Sequence, residues 1–375
     1  MRIGILTFWE SQDNYGQQLQ AFALQTYLQN MGNEVFLIKY RRIASVQHRT
    51  LTERIKNFNL KKFLEARFPS FKSRTDSKPK IDRHFDSFRK THINFSDITY
   101  DSLEELNANP PKADVYICGS DQVWNNSFSV SCEAFLLGFG DATTKRIAYA
   151  ASFGMKELPL ETEQLFNEHI HNFDAVGVRE KSGLNICKTL GYPSAIWVPD
   201  PTMLFKKQDW LNLFPNGKAE EKKADKRLFL YTLGNSPINE RESYIDFANN
   251  LEDVEVFHVS ANNDFSGNAY PSIPDWIHTL SDADFVITNS FHGTLFSILF
   301  NKNFVVLPNT GSKAGMNERV ISLLEKVGLS GRISHEFDEK NLNSLLFDRI
   351  DWREVNAKIE NWKSKTDDFF KILTR

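Results

Sequence analysis

The sequence predicts an α/β protein: two doubly wound halves facing each other across a cleft, with a C-terminal helix returning to the first half. Three observations predict this. The chain opens with strand, helix and strand in succession, the unit from which parallel sheets are built. A polar stretch at residues 216–227, NGKAEEKKADKR, interrupts the alternation, and strand–helix alternation restarts beyond it. Residues 283–300, ADFVITNSFHGTLFSILF, run an apolar strand into a polar turn and then an apolar helix. In open α/β sheets such a junction lies at the carboxyl end of a strand, where ligands bind.

In chain order, residues 2–8 read as the first strand. Residues 15–32, YGQQLQAFALQTYLQNMG, place Leu19, Ala23, Tyr27 and Leu28 on one helical face and stop at Gly32. Residues 34–40 form the next strand. Residues 114–118 are a further strand ending in the turn Gly119, Ser120, Asp121, Gln122. Residues 146–150 and 175–178 are strand-like, the second ending at Arg179. A helix over 180–190 closes at Gly191, and 195–198 lead into Pro199, Asp200 and Pro201. Past the polar stretch come strands at 228–233, 254–259, 284–288 and 304–307. Helices at 239–251, 274–280 and 318–327 lie among them, the last stopped by Gly328. The amphipathic segment 351–373 carries Trp352, Val355, Ile359, Trp362, Phe369 and Phe370. The expected organisation is a first domain at 1–215, a linker at 216–227, a second domain at 228–350, and a helix at 351–375 packing back on the first domain.

The 375 residues exceed what one hydrophobic core usually serves. With 41% hydrophobic and 25% charged residues and a formal net charge of −3, the chain reads as globular and not as a bulk nucleic-acid binder. No stretch approaches the roughly 20 apolar residues of a membrane span, and the first residues read as a strand, not as a signal peptide. Three cysteines, Cys118, Cys132 and Cys187, show no metal-ligand spacing and fit a reducing cytoplasm; Cys118 reads as a small buried residue. Residues 41–90 hold 15 Lys/Arg against five Asp/Glu, so a basic helical insertion is expected at about 41–92, with Ile55, Phe58, Phe63, Leu64 and Phe68 towards one side. Two readings of it stand: a solvated basic face, or a surface that meets anionic lipid or a diphosphate-bearing acceptor.

The candidate site gathers at the strand ends. His292, flanked by Ser290 and Thr294 where a helix begins, is placed to move a proton beside a bound anion. Arg179 ends another strand and begins a helix, where its charge opposes the helix dipole. Lys313 sits in a Gly/Ser loop with Arg319 just beyond. The turns Asn14–Tyr15–Gly16 and Gly119–Gln122 add hydrogen-bonding groups. A strand-end arginine, a loop lysine and helix N-termini suit a small polyanion. Each residue also has a plain structural reading. Ser120 and Asp121 fit as helix caps, Asn14 to Gly16 as turn chemistry, Lys313 as a solvated side chain and Arg319 as a surface residue of its helix. Asp200, between two prolines, reads as ordering a bend. No Asp/Glu/His cluster has metal spacing, and neither a G-x-G-x-x-G nor a Walker loop occurs.

Taken together, NYGQQLQAFALQTYLQNMG, ICGSDQVWN, VGVREKSG, VPDPTMLF and ITNSFHGTLFSILFNKNF resemble, in order and spacing, the polysaccharide pyruvyltransferase family. The resemblance spans almost the whole chain apart from the basic insertion. It implies a GT-B-like fold of two Rossmann-type domains. The implied reaction moves a pyruvyl group from phosphoenolpyruvate to two hydroxyls of a sugar, in capsule, exopolysaccharide or cell-wall glycan synthesis. His292 is then the expected general acid/base and Arg179 an expected anchor for the donor. Ser290, Gly293, Thr294, Lys313 and Arg319 are expected at the donor, and Asn14, Tyr15, Gly16, Ser120, Asp121 and Gln122 at the acceptor, a free or lipid-linked glycan. No cofactor or metal is expected beyond phosphoenolpyruvate as co-substrate. Some branches of the family carry a basic residue where this chain has Ser290, which leaves the donor to Lys313 and Arg319. The rival readings are a glycosyltransferase of the same architecture using a sugar nucleotide, and a non-catalytic glycan-pathway homologue.

Overall fold

The computed structural model describes residues 1–11, 13–42, 81–125, 132–234, 236–261 and 264–374. The helix read within 51–68, and with it most of the basic segment, lies outside these residues.

Two parallel sheets carry the fold. The first holds β1 (Arg2–Leu6), β2 (Glu34–Tyr40), β3 (Phe95–Tyr100), β4 (Val115–Cys118), β5 (Lys145–Ala151), β6 (Ala175–Val178) and β7 (Ile196–Trp197). Their order is β3-β2-β1-β4-β5-β6-β7. The second holds β8 (Lys226–Leu233), β9 (Val254–Ala261), β10 (Phe285–Thr288) and β11 (Asn303–Val306), in the order β11-β10-β8-β9. Strands such as β4 (VYIC) and β10 (FVIT) are buried at every position, because helices cover both faces of a parallel sheet. The strand order reverses between β1 and β4 in the first sheet and between β8 and β10 in the second. Such switch points open a crevice outside the carboxyl ends of the strands. The turns after β1, β4 and β10 are the ones that hold Asn14 to Gly16, Gly119 to Gln122 and His292.

The helix after β1, Tyr15–Asn30, begins at Asn14, whose side chain accepts from the Gln17 N–H at 3.1 Å. It is buried from Tyr15 to Gln25, because it runs inside the molecule and not along its surface. Two of its buried glutamines donate to other elements: Gln20 to the Thr7 hydroxyl at 3.1 Å and Gln25 to the His92 carbonyl at 2.9 Å. The two sheets share one apolar core cluster. Tyr15 stacks on Trp276 at 5.4 Å and 17°, and its hydroxyl donates to the Pro271 carbonyl at 2.6 Å. Such an aromatic pair adds about 0.5–1.5 kcal/mol beyond its buried area.

β8 begins at Lys226, ahead of the expected 228. The reason is Arg227, a charged residue buried within the strand and satisfied by Glu255 at 3.1 Å and Asp282 at 3.4 Å. Residues 214–225 carry neither helix nor strand, yet they are anchored. Lys222 pairs with Asp284 at 2.9 Å, and the Lys218 N–H donates to Asp275 at 2.9 Å. The C-terminal helix, Trp352–Phe370, lies on the first sheet's elements: the Trp362 indole donates to the Trp197 carbonyl at 3.0 Å, and Phe370 meets Tyr149 at 4.7 Å. The helix Phe85–His92 falls within the helical insertion expected at about 41–92, whereas β3, whose sequence FSDITY is half polar, and short helices such as Glu339–Phe347 leave no clear periodic signal.

Candidate active site

A cavity of about 540 Å³ opens where the two switch points face each other. The first sheet's side contributes Glu10, Asn14, Gln17, Asp121 and Gln122 to its wall, and Arg42 joins them from the end of β2. The second sheet's side contributes Asn289 to His292, Asn309, Lys313 and Arg319. The wall combines Arg42, Lys313, Arg319 and His292 with the carboxylates of Glu10 and Asp121 and a set of amides and hydroxyls.

His292 sits in the first turn of the helix Phe291–Leu299. Ser290 caps that helix, its hydroxyl accepting the Gly293 N–H at 3.2 Å. The ring lines the cavity, is 7% exposed, and packs against Gly16 so closely that a Cβ there would lie 2.2 Å from Nδ1. Nε2 points the other way, 3.6 Å from Asp200 Oδ2, and has no hydrogen-bond partner among the described residues.

Behind His292 lies a buried charge cluster. Asp200 is fully enclosed: Oδ1 accepts from the Thr202 N–H (3.0 Å) and hydroxyl (2.7 Å), and Oδ2 from the Ser120 hydroxyl (3.0 Å) and Arg179 Nη1 (3.0 Å). Burial works against ionisation here, but His292, Arg179 and the Thr202 donor outweigh it and hold the carboxyl below its ordinary range. Arg179, 1% exposed, also reaches Asp121 at 3.4 Å and lies over the Phe291 ring at 4.6 Å. Burial alone would lower its affinity for a proton; Asp200, Asp121 and Glu180 reverse this and raise it. Asp121, buried as well, is held low by Arg179, His292 and Arg319 despite its desolvation. Arg319 approaches Phe291 from the helix Glu318–Val327, 5.5 Å from the ring centre. Burial, and then repulsion from Arg179, pull its guanidinium down to about 10. It is a buried cation on the cavity wall, on which Asp121, Glu180 and Asp200 act in the opposite sense.

Most of the expected residues come together here, in different roles. His292, Ser290, Lys313, Arg319, Asn14, Asp121 and Gln122 line the cavity. Arg319 is buried at the site, not on the helix surface. Arg179 and Ser120 stand behind the wall, the former sealed by Asp200 and Asp121. Gly293 and Thr294 are turned inward. The Gly293 N–H is used by Ser290, and both the N–H and the hydroxyl of Thr294 go to the Ser290 carbonyl at 2.9 and 3.0 Å. Helix-end donors expected at an anion are thus consumed by the cap. Tyr15 belongs to the aromatic core between the sheets, and Gly16 acts through the space it leaves for His292. Ser120 and Asp121 cap no helix: Gly119 at φ +112° and Asp121 at φ +74° turn the chain so that Asp121 bridges Ala151. Cys118 is buried.

Arg42 and Glu10, like Gln17, Asn289 and Asn309, are cavity residues that the sequence pattern does not single out, and Asp200 does more than that pattern implies. Asp200 does order a bend, capping the turn Pro201–Leu204, but it is also the hub of the buried cluster. Arg42 lines the cavity with its guanidinium 3.8 Å from the Phe8 ring centre, and burial lowers its proton affinity. It belongs to the basic segment by sequence, and among the described residues it is the member that lines the cavity. Glu10 adds a carboxylate to the wall. Among the described residues no group of three or more His, Cys, Asp or Glu is arranged to hold a metal ion, and no helix is long and apolar enough to cross a membrane.

A family model described as polysaccharide pyruvyl transferase matches residues 14–311. No curated protein matches the chain. Among solved structures, a putative UDP-N-acetylglucosamine 2-epimerase from Listeria monocytogenes superposes with a TM-score of 0.50 at 13% identity, covering 96% of this chain and 90% of that one. Another UDP-N-acetylglucosamine 2-epimerase gives 0.51 at 11% identity, covering 100% and 96%. At such identities the likeness is one of fold, a GT-B-like pair of parallel α/β sheets.

Proposed function

The chain belongs to the polysaccharide pyruvyl transferase family, and from that premise we propose that it moves the pyruvyl group of phosphoenolpyruvate onto two hydroxyls of a sugar. The acceptor is a capsule, exopolysaccharide or cell-wall glycan precursor, and the protein works in the cytoplasm, at most touching the inner membrane face. The observation that carries the reading is that His292 and the buried Arg319 line one cavity together with Lys313 and Arg42. Phosphoenolpyruvate carries a phosphate and a carboxylate. Each charge-assisted hydrogen bond to it contributes roughly 1.5–3 kcal/mol.

The chemistry follows from the donor. His292, as imidazolium, delivers its proton to C3 of the enol, and C2 becomes electrophilic. A sugar hydroxyl forms a bond to C2 and gives up its proton; phosphate departs with the electrons of its C–O bond. The second hydroxyl then closes the ketal on the same carbon and loses its own proton. A well-placed acid contributes roughly 10²–10⁴-fold to such a step. Arg319 and Lys313 hold the donor's charged ends. The amide and hydroxyl wall of Asn14, Gln17, Gln122, Asn289 and Asn309 suits the neutral hydroxyls of a sugar. Arg179, assigned to the donor on sequence grounds, acts on this reading from behind the wall, through Asp200 and Phe291.

The test is incubation of the purified protein with phosphoenolpyruvate and a panel of glycan acceptors. Inorganic phosphate release coupled to acceptor modification supports the proposal. Release of a nucleoside diphosphate from a sugar nucleotide instead establishes glycosyl transfer. Glycan production in cells that is indifferent to His292→Ala establishes a non-catalytic role.

A further inference from the structure

We propose that Asp200 is the positioning residue of His292, and that Arg179 sets the strength of its hold by competing for the same carboxylate oxygen. A carboxylate offers about four lone-pair sites. Two on Oδ1 are filled by Thr202, and two on Oδ2 by the Ser120 hydroxyl and Arg179 Nη1, all between 2.7 and 3.0 Å. His292 Nε2 stands fifth, at 3.6 Å, within ion-pair range but beyond hydrogen-bond length. The carboxylate cannot swing towards the ring, because its Thr202 contacts fix it at the start of the Pro201–Leu204 turn. The ring cannot retreat, because Gly16 closes its Nδ1 side. The imidazole is therefore aimed and electrostatically supported, yet its Nε2 proton is not locked into a short bond.

The charges around the ring come from several elements. Asp200 precedes Pro201, Asp121 follows β4, Arg179 and Glu180 follow β6, and Arg319 belongs to the helix Glu318–Val327. Glu10, Arg42 and Lys313 line the same cavity, while the helix Tyr15–Asn30 contributes Gly16 and Gln17, neither ionisable. Asp200 and Arg179 act on the ring with opposite signs. Removing the carboxylate withdraws support from the imidazolium. Removing the guanidinium takes away a positive charge that competes with the imidazolium for Oδ2. The catalytic meaning of this arrangement rests on His292 being the general acid proposed above; the positioning itself does not.

The test uses the full chain labelled with ¹⁵N-histidine, without substrate, the His292 signals being identified by their loss in His292→Gln. The His292 ring signals are expected to titrate at lower pH in Asp200→Asn and at higher pH in Arg179→Gln than in the wild type, and to return towards the wild-type curve in Asp200→Glu. Midpoints that stay put, or that move in the same direction in both variants, overturn the proposal. Should Asp200→Asn not fold, the Arg179→Gln shift decides, since that variant keeps the carboxylate. Failure of the wild-type protein to release phosphate from phosphoenolpyruvate would count against the proposed function while leaving these titrations to stand or fall alone.

Discussion

Gly16 offers the sharpest perturbation of the site, because it touches His292 without carrying any chemistry of its own. A Cβ at this position would lie 2.2 Å from Nδ1, 2.3 Å from Cγ and 2.6 Å from Cβ of the histidine. Ordinary contact begins near 3.4 Å, so Gly16→Ala forces the ring or the helix to give by about 1.2 Å. Overpacking of this kind costs about 1–3 kcal/mol, partly offset by the roughly 1 kcal/mol by which alanine favours a helix over glycine. The protein should stay folded, with a small drop in melting temperature. Displacing a catalytic group by about an ångström costs about 10²-fold in rate, so turnover should fall by that order. The assay is phosphate release from phosphoenolpyruvate with a saturating acceptor, alongside circular dichroism of the same sample. Turnover within about threefold of wild type, in a folded Gly16→Ala variant, would refute the claim that His292 works from this position.

His292→Ala should lower turnover by about 10²-fold or more while leaving the melting temperature close to wild type; near-normal turnover removes the proposed acid. Arg319→Gln should weaken the apparent donor affinity by roughly ten- to a hundredfold, the worth of one charge-assisted bond, read as a rise in KM for phosphoenolpyruvate; an unchanged KM takes Arg319 out of the donor site. Arg179→Ala should chiefly cost stability, about 3–5 kcal/mol by denaturant titration, since it leaves Asp200 and Asp121 buried without their partner; unaltered stability with lost donor affinity would restore Arg179 to the donor. The pH dependence of stability has a defined sign. Burial lowers His258 to about 4, below its unfolded value near 6.5. That contribution is present above about pH 6.5 and is lost as pH falls towards 4. Asp200 and Asp121, held below the ordinary carboxylate range, add a loss that begins below about pH 4. His258→Gln should flatten the first part of a melting-temperature profile between pH 7 and 4; an unchanged slope argues against the neutral buried imidazole.

How much of this was legible in the sequence depends on how local the cause is. The junction at His292 was readable, because an apolar strand, a capping serine and an apolar helix are consecutive in the chain. So were the switch-point turns, since strand–helix alternation itself generates them. Asp200 was misjudged because its partners are distant: Arg179 lies 21 residues away and Ser120 lies 80 away, and only the folded sheet brings them together. Local pattern saw a carboxylate between prolines, and the bend it inferred is real but incomplete. Arg42 was hidden by its neighbours, one basic residue at the edge of a basic stretch. Tyr15 reads as turn chemistry from its flanks, while its stacking partner Trp276 belongs to the other sheet. Arg227 misled in the opposite direction, its charge suggesting linker where acids from two elements neutralise it within a strand. Gly293 and Thr294 show the limit of motif proximity, since the helix cap beside them spends the donors that a ligand would need.

Protonation by His292 of a small enol ester held by the cavity's cations is met most directly by mass spectrometry of the acceptor. Purified protein is incubated with phosphoenolpyruvate in deuterated water and a panel of surface-glycan precursors. The expected result is an acceptor heavier by pyruvic acid less one water, deuterium in the new methyl group, and loss of both signals in His292→Ala. An acceptor that gains a glycosyl residue from a sugar nucleotide, or pyruvylation that persists in His292→Ala, would contradict it.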